Sequence, residues 1–381
     1  MRRELEHLEI PDEHEARLRT WEVVRTAFAE REPAPRSVRL VRPVLVVAAL
    51  ATLAAAALSP PGRAVIDRVR DAIGVEDAEE ALFSLPGEGR LLVESADGPW
   101  LVQPDGSKRL LGAYREASWS PFGRFVVGAR ANELVALEPD GDVRWSLARP
   151  DVRAPRWGGT RTDTRIAYRR GEGLRVVAGN GEGDRAACAD VVAPVAPAWR
   201  PGSRHVLAFV APGGVVHAYA TDRCELLWRS QALTDVRALE WSRDGSMLLV
   251  RGERSLSVLD ARGRVRFDLL ARQAAPVLAA AFSPAGDAVA FVQLAGGRST
   301  LWLVPRLRPD RSAARKLFEG TGAFTGLVWS PDGSRLLVAW READQWVFVR
   351  TAGARRIEAV SRIRAQFGGS FPRLAGWCCA R

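Results

Sequence analysis

The sequence contains little histidine, cysteine and lysine, and this excludes several kinds of catalytic and cofactor site. There are four histidines and four cysteines in 381 residues, and all but two of the 55 basic residues are arginine. Neither lysine ends a Gly-x-x-x-x-Gly-Lys phosphate loop, and no Gly-x-Ser-x-Gly nucleophile turn is present. The cysteines also lack the spacing of metal ligands. We therefore predict no catalytic residue, no cofactor and no metal site, and we do not expect an enzyme.

Two features that could suggest ligand sites are better interpreted as turns. The glycine-rich stretch GNGEGDR, residues 179–185, follows a predicted strand, but no helical pattern follows it, so a hairpin is expected instead of a nucleotide loop. Asp-Gly pairs recur without the Asp-x-Asp-x-Asp spacing of a calcium loop, so we interpret their acids as turn residues. These acids are Asp105, Asp140, Asp244 and Asp332.

Long helical periodicity is absent after Gly74, and short strand-like segments take its place. The stretch VWSPDGSRLLVAW, residues 328–340, has a Ser-Pro-Asp-Gly turn followed by an apolar run, which is typical of a tight hairpin. Related segments recur along the chain, each led by an aromatic residue, at intervals of 36 to 48 residues. The lead aromatics are Phe83, Trp119, Trp157, Trp199, Trp241, Phe282, Trp329 and Trp377. This repeat predicts an all-β fold, a seven-bladed β-propeller over residues 82–381, with six or eight blades as alternatives.

The turns of these repeats resemble those of a known family. Trp-Ser-Pro-Asp-Gly stands at residues 329–333, and WSPFG, WSRDG and FSPAG at 119–123, 241–245 and 282–286 are near copies. In this respect residues 82–381 resemble the TolB-like, or WD-repeat-like, bacterial β-propellers. The resemblance implies the propeller fold but not an activity, because propellers have many unrelated functions. We expect the lead aromatics to pack between blades.

The last repeat is incomplete, which indicates how the ring closes. GWCCAR, residues 376–381, has the lead aromatic but no further strands. We predict that this segment returns to the first blade as its innermost strand, which leaves Phe83 as a lead-in. Closure of this kind removes exposed sheet edges.

One long apolar run lies near the N-terminus. Pro43–Leu58 contains no charged residue, and residues 40–61 together are long enough to cross a bilayer. Arginines concentrate on its N-terminal side, so the positive-inside rule predicts a single-pass anchor in the cell membrane, with residues 1–39 in the cytoplasm and the propeller outside. A helical linker is expected over residues 62–81. A buried soluble helix and a cleaved signal peptide are the alternatives, although the leader is too acidic for a typical signal peptide.

The predicted cytoplasmic segment contains one amphipathic helix. Leu18, Trp21, Val24 and Phe28 recur at helical spacing and would form one apolar face. An isolated helix of this length cannot bury that face on itself. The face is thus a candidate docking surface for a cytoplasmic partner, and a partly folded tail is the alternative.

The cysteines allow one candidate cross-link in the propeller. Cys188 and Cys224 occupy similar places in neighbouring repeats, so a disulfide is conceivable if their Cα atoms approach within about 7 Å. Free thiols are the alternative. We expect Cys378 and Cys379 to stay unpaired, because a bond between neighbours is strained and the closing strand needs a regular backbone.

These observations predict a function without naming a ligand. Residues 82–381 have a net charge of +13, from 43 basic and 30 acidic residues, but the arginines are scattered, so we expect no nucleic acid. We interpret the protein as a non-catalytic recognition or scaffold module for a protein or an envelope polymer. The alternatives are a transmembrane sensor whose cytoplasmic helix relays to a regulator, and a propeller hydrolase or lyase. The sequence does not determine the oligomeric state.

Overall fold

The computed structural model describes residues 78–80, 84–202, 204–270, 275–307, 314–353 and 356–379. All of them belong to the unit that runs from Pro60 to Arg381. The predicted cytoplasmic helix with Leu18, Trp21, Val24 and Phe28, the predicted membrane span 40–61 and Phe83 lie outside these ranges, so they stay predictions. Within the described ranges, no helix is both long and apolar enough to span a bilayer.

The described chain forms seven sheets, which are the blades of a seven-bladed β-propeller, and their strands are antiparallel except for one parallel pair in blade 7. The predicted fold class and blade number are thereby confirmed for residues 84–379. Blades 1 to 3 contain β2 (Arg90–Ser95), β3 (Gly98–Val102), β4 (Lys108–Leu110), β5 (Glu116–Trp119), β6 (Val126–Arg130), β7 (Glu133–Leu137), β8 (Val143–Ala148), β9 (Val152–Gly159), β10 (Thr164–Arg170), β11 (Gly173–Ala178) and β12 (Arg185–Ala186).

Blades 4 to 7 continue the same order along the chain. They contain β13 (Ala198–Trp199), β14 (Val206–Val210), β15 (Val215–Ala220), β16 (Glu225–Ala232), β17 (Val236–Trp241), β18 (Met247–Gly252), β19 (Leu256–Asp260), β20 (Val265–Leu270), β21 (Val277–Phe282), β22 (Val289–Ala295), β23 (Arg298–Val304), β24 (Arg315–Thr321), β25 (Phe324–Trp329), β26 (Arg335–Trp340), β27 (Gln345–Arg350) and β28 (Ile357–Ser361). In blades 2 to 6, and for β25 to β28 of blade 7, the strands run from the innermost to the outermost in chain order, and each later strand is antiparallel to the one before it. Two short 3-10 turns stand at Pro121–Gly123 and Pro212–Gly214.

The ring closes between the two ends of the described chain. β29 (Arg373–Cys378) pairs antiparallel with β2 and is the innermost strand of blade 1, with Trp377 opposite Leu91. This confirms the predicted return of the last repeat to the first blade. The segment before β29 reinforces the closure, because Phe367 is fully buried between Trp346 of blade 7 and Trp100 of blade 1, at centroid distances of 5.2 and 5.8 Å. A single turn of helix, α1 (Ile363–Gln366), precedes Phe367.

One part of the predicted linker 62–81 is a strand. β1 (Ala78–Glu80) pairs parallel with β28 and becomes a fifth, outermost strand of blade 7. We predicted a helical linker over residues 62–81, and this is wrong for Ala78–Glu80. Its sequence has low strand propensity, but β28 is a sheet edge with unpaired N–H and C=O groups, and this tertiary context overrides the local preference.

The hydrophobic core lies between the blades, and the apolar content of each strand depends on how much of it this core covers. Middle strands are covered on both faces by neighbouring blades, so β14 and β26 are almost entirely apolar and buried. Outer strands face solvent on at least one side, and β8 is exposed or half-buried throughout. The blades are thus held together by face-to-face packing of apolar side chains.

Candidate functional site

The lead tryptophans lie between neighbouring blades and bond across the gap. The Nε1–H group of Trp199 donates to Arg156 O at 2.9 Å. Trp241 donates to Ala198 O at 3.2 Å in the same way. In both cases the acceptor is the carbonyl just before the lead aromatic of the preceding blade. Trp329 follows this rule and donates to Ala281 O at 3.2 Å. The half-buried Trp119 also follows it and donates to Gly376 O at 3.3 Å.

Three lead aromatics depart from this rule. Phe282 is buried but has no N–H to donate. Trp377 donates to Glu88 O at 3.0 Å, within its own blade. Trp157 is buried and its Nε1–H finds no acceptor among the described residues. All the described lead aromatics therefore take part in packing between blades, and four of them add a hydrogen bond to the preceding blade.

Carboxylate side chains of one blade also accept hydrogen bonds from the inner strand of the next blade. The inner strand of every blade is a sheet edge, so some of its N–H groups point away from the ladder and need another acceptor. Glu94 Oε1 accepts from Ala117 N at 2.7 Å, which joins blade 1 to blade 2. Glu116 Oε2 accepts from Ala154 N at 2.7 Å, which joins blade 2 to blade 3.

A third carboxylate has the same role in blades 5 and 6. Glu240 Oε1 accepts from Phe282 N at 3.3 Å. No counter-charge offsets the cost of burying this acid, so desolvation raises the pKa of Glu240 to about 8. Glu240 therefore binds a proton more readily than an exposed glutamate does.

Two arginines accompany the acids of blades 1 to 3. Burial raises the pKa of Glu94, and the hydrogen-bonded Arg373 opposes this rise with its positive charge. Burial also lowers the pKa of Arg156, as does the charge of Arg373, while Glu94 and Glu116 oppose that change. The four side chains thus form one electrostatically coupled cluster of two acids and two arginines near the inner strands.

Sequence reasoning missed these charged side chains at the inner strands, although a signal for two of them was present. Arg156 and Glu240 directly precede lead tryptophans, whereas the same place in other repeats holds a small or apolar residue. Those residues are Ser118, Ala198, Ala281, Val328 and Gly376. A charged residue at such a position indicates a special contact. Glu94 and Arg373 had no comparable signal, because they meet only when the ring closes.

The structure joins Cys188 to Cys224 by a disulfide, with Cα atoms 5.1 Å apart. Cys188 follows β12 of blade 3, and Cys224 precedes β16 of blade 4. β12 and the next strand, β13, contain only two residues each, so few ladder hydrogen bonds fix the chain here. The cross-link therefore stands where regular sheet is shortest.

Cys378 and Cys379 are also paired in the structure, contrary to our expectation that they stay unpaired. We assumed that the closing strand keeps a regular backbone through both residues. The strand ends at Cys378, and Cys379 has a φ of 84°, so the chain has already left extended geometry there. The bond therefore leaves the ladder of β29 with β2 intact.

His205 bridges blades 3 and 4 inside a group of charges. It is buried, and its Nδ1 lies 2.7 Å from Asp222 Oδ2, while its Nε2 lies 3.5 Å from Asp163 Oδ2. Arg165 and Arg185 pair with the same acids. Burial of Asp222 raises its pKa, but its interactions with His205, Arg165 and Arg185 together outweigh burial, so the pKa of Asp222 is lowered. His205 is therefore held in the packing between the two blades, and no serine or cysteine nucleophile bonds to the ring among the described residues.

The acids predicted to be turn residues have structural roles. Asp332 Oδ1 accepts from Ser330 Oγ at 2.5 Å and from Ser334 N at 3.1 Å, within its own turn. Asp244 is held in the same way. The glycine-rich stretch 179–185 forms a turn that leads into β12, and its Asp184 bonds to Arg149 and Arg175. In the part of the chain that the structure describes, no group of three or more histidine, cysteine, aspartate or glutamate side chains could hold a metal ion.

Comparison with known proteins supports the fold and nothing finer. No family model and no curated protein matches the sequence. A chain in the crystal structure of the mitotic checkpoint complex is 18% identical, with a TM-score of 0.50, and the match covers 64% of this chain and 76% of that one. A chain of Kuenenia stuttgartiensis hydrazine synthase is 14% identical, with a TM-score of 0.46, over 61% of this chain and 75% of that one. As many as 1473 solved chains match, so the propeller class by itself does not define a function.

Proposed function

We propose that the protein is a non-catalytic recognition or scaffold module that binds a protein or an envelope component. The observation that carries this proposal is the use of the inner acids. Glu94, Glu116 and Glu240 each accept a backbone N–H of the next blade, so they are engaged in holding the ring together. Catalytic acids need a lone pair or a proton directed at a substrate. The two histidines of residues 82–381 lie elsewhere: His205 pairs with Asp222, and His217 stands beside Phe209.

We further propose that the propeller is extracytoplasmic and anchored by residues 40–61. Two features support this proposal. The uncharged run Pro43–Leu58 has arginines on its N-terminal side. The propeller contains the Cys188–Cys224 disulfide, and such bonds persist in oxidising compartments.

Both parts of the proposal can be tested in intact cells that produce the full chain. Crosslinking followed by mass spectrometry should capture a specific protein or envelope component with residues 84–379. Protease added to wall-stripped cells should digest the propeller and spare residues 1–39. Protection of the propeller, while an external control protein is digested, would show that the orientation is wrong. An absence of any specific crosslink would contradict the recognition function.

A sensor function is the second candidate, and the pairing of β1 with β28 favours it. Because Ala78–Glu80 is a strand of blade 7, a change in that blade would be transmitted to the chain just before the propeller. Residues 1–39 should then recover a regulator in a pulldown. Glu79→Pro, which cannot donate a ladder hydrogen bond, should uncouple the regulator's response from the propeller, and Glu79→Gln should not.

A further inference from the structure

The turns that lead into the second strand of each blade lie on one face of the propeller, because all the inner strands run in the same direction around the channel. We call this surface the turn face. In blades 2 to 5 each of these turns exposes one arginine, and we call this set the arginine arc. It consists of Arg124, Arg161, Arg204 and Arg243. None of the four pairs with a carboxylate of the described residues, so the arc presents four guanidinium groups on consecutive blades.

The other half of the turn face has the opposite sign. In blades 1, 6 and 7 the corresponding turns expose one acid each, namely Glu88, Asp287 and Asp332. The turns of blades 3 and 5 also expose Asp163 and Asp244, so the arc half has four arginines against two acids, while the turns of blades 1, 6 and 7 expose three acids. The turn face is therefore divided into a net positive and a net negative half around the mouth of the channel.

An exposed aromatic stands inside the arc. Phe122 is 45% exposed at the tip of the blade 2 turn, and the guanidinium of Arg161 in blade 3 lies 4.5 Å from its ring centroid. Its φ of 66° is unfavourable for a residue with a side chain of this size. A strained backbone that holds an aromatic ring toward solvent needs a reason outside the stability of the fold, and such strain is concentrated at ligand-binding positions.

We propose that the arginine arc and Phe122 form a docking surface for an acidic segment of a partner protein that also carries an apolar side chain. The planar guanidinium groups suit bidentate binding of carboxylates. Phe122 adds a preset apolar contact beside them, which is the composition of a protein-binding hot spot. This inference rests on the proposed recognition function and defines the chemistry of its partner.

The division of the turn face favours a protein over a uniformly anionic polymer. A nucleic acid or an anionic membrane surface that covered the mouth of the channel would bring its charge against Glu88, Asp287 and Asp332. A protein can place acids opposite the arc and basic or neutral groups opposite the other half. A partner whose surface carries separate acidic and basic patches is thus complementary in charge to the turn face.

The proposal can be tested with the full chain and a fluorescein-labelled peptide of alternating glutamate and leucine. Anisotropy titrations at physiological salt should show saturable binding. The triple variant Arg161→Glu, Arg204→Glu, Arg243→Glu should bind at least about tenfold more weakly. A matched control, Arg115→Glu, Arg254→Glu, Arg266→Glu, changes the net charge equally at exposed positions outside the arc and should bind as the wild type does.

Phe122→Gly tests the aromatic contact without a risk to folding. Glycine accepts a φ of 66° without strain, so the urea midpoint should not fall, while peptide binding should weaken about threefold or more.

Equal loss of peptide binding in the arc and control variants would overturn the proposal, as would wild-type binding in both. If single-stranded DNA or phosphatidylglycerol vesicles bind and the peptide does not, the proposal of a protein partner is wrong and the ligand is a nucleic acid or an anionic membrane.

Failure of this inference is distinguishable from failure of the proposed function. If the arc variant captures the same crosslinked component in cells as the wild type does, the partner docks elsewhere and only the docking surface is wrong. If the wild type captures no specific component, the recognition function itself is wrong.

Discussion

Replacing Trp329 with phenylalanine separates the contribution of an interblade hydrogen bond from that of a buried ring. The Trp329 ring is 7% exposed, and its Nε1–H donates to Ala281 O of the preceding blade at 3.2 Å. Such a bond contributes about 0.5–1.5 kcal/mol, and the smaller ring leaves a void that costs about 1 kcal/mol. Trp329→Phe should therefore lower the free energy of unfolding by about 1.5–2.5 kcal/mol, and Trp329→Ala by about 3–5 kcal/mol.

Trp157 provides the matched control. It occupies the same place in blade 3 and is 8% exposed, but its Nε1–H has no acceptor among the described residues. Trp157→Phe removes a similar volume without removing a hydrogen bond to protein, so it should cost about 1 kcal/mol less than Trp329→Phe. Both variants can be measured by urea unfolding, followed by circular dichroism and by fluorescence, with the slopes compared to detect a change in cooperativity.

Equal costs for the two phenylalanine variants would refute the argument that the interblade bond stabilises the ring. A second outcome would refute the packing role more directly. If Trp329→Ala leaves the urea midpoint unchanged and abolishes partner binding, Trp329 is a ligand contact.

Three further predictions concern the junctions between blades, and urea midpoints check each of them. Substituting Cys188 and Cys224 together with serine should cost about 4 kcal/mol, because the disulfide closes a loop of 36 residues in the unfolded chain. The free energy of unfolding of the wild type should fall as the pH rises from about 4.5 to 8, because the pKa of Glu240 is about 8 in the folded state and near 4.5 in the unfolded state. The stability of Glu240→Gln should depend less on pH over that range. Gly158→Ala should cost about 1–3 kcal/mol, because the added Cβ would overlap the Trp199 side chain.

Each of these predictions has a clear contrary result. Wild-type protein in a reducing agent should match the serine double variant, and a wild type that is equally stable when oxidised and reduced would contradict the cross-link. Parallel pH profiles for the wild type and Glu240→Gln would show that the acid is not desolvated in the folded state. An unchanged midpoint for Gly158→Ala would mean that blades 3 and 4 are packed less closely than the structure shows.

The propeller could be predicted from the sequence because its defining signals are local. The Ser-Pro-Asp-Gly turn at 330–333 fixes a hairpin through contacts within five residues, such as the bonds from Ser330 and Ser334 to Asp332. Repetition of that turn predicts identical sheets, and an incomplete last repeat predicts that β29 completes blade 1. Packing roles for the lead aromatics followed from their regular spacing.

The contacts between blades could not be predicted in this way. Glu94 and Arg373 are 279 positions apart and meet only because the ring closes. The sequence placed Cys188 and Cys224 in equivalent repeats, but only the angle between blades 3 and 4 decides that their Cα atoms stand 5.1 Å apart. The strand formed by Ala78–Glu80 likewise depends on the free edge of β28.

The sequence by itself thus determined the repeating unit of this protein and favoured seven copies of it, since turns and alternating strands depend on neighbouring residues. Only the tertiary structure decided which side chains meet across blade boundaries and which turns share one face. Arg161 reaches Phe122, and the arginine arc forms one surface, because each blade is rotated about the channel by an amount that no spacing within a repeat encodes. The candidate docking surface is therefore a property of the closed ring.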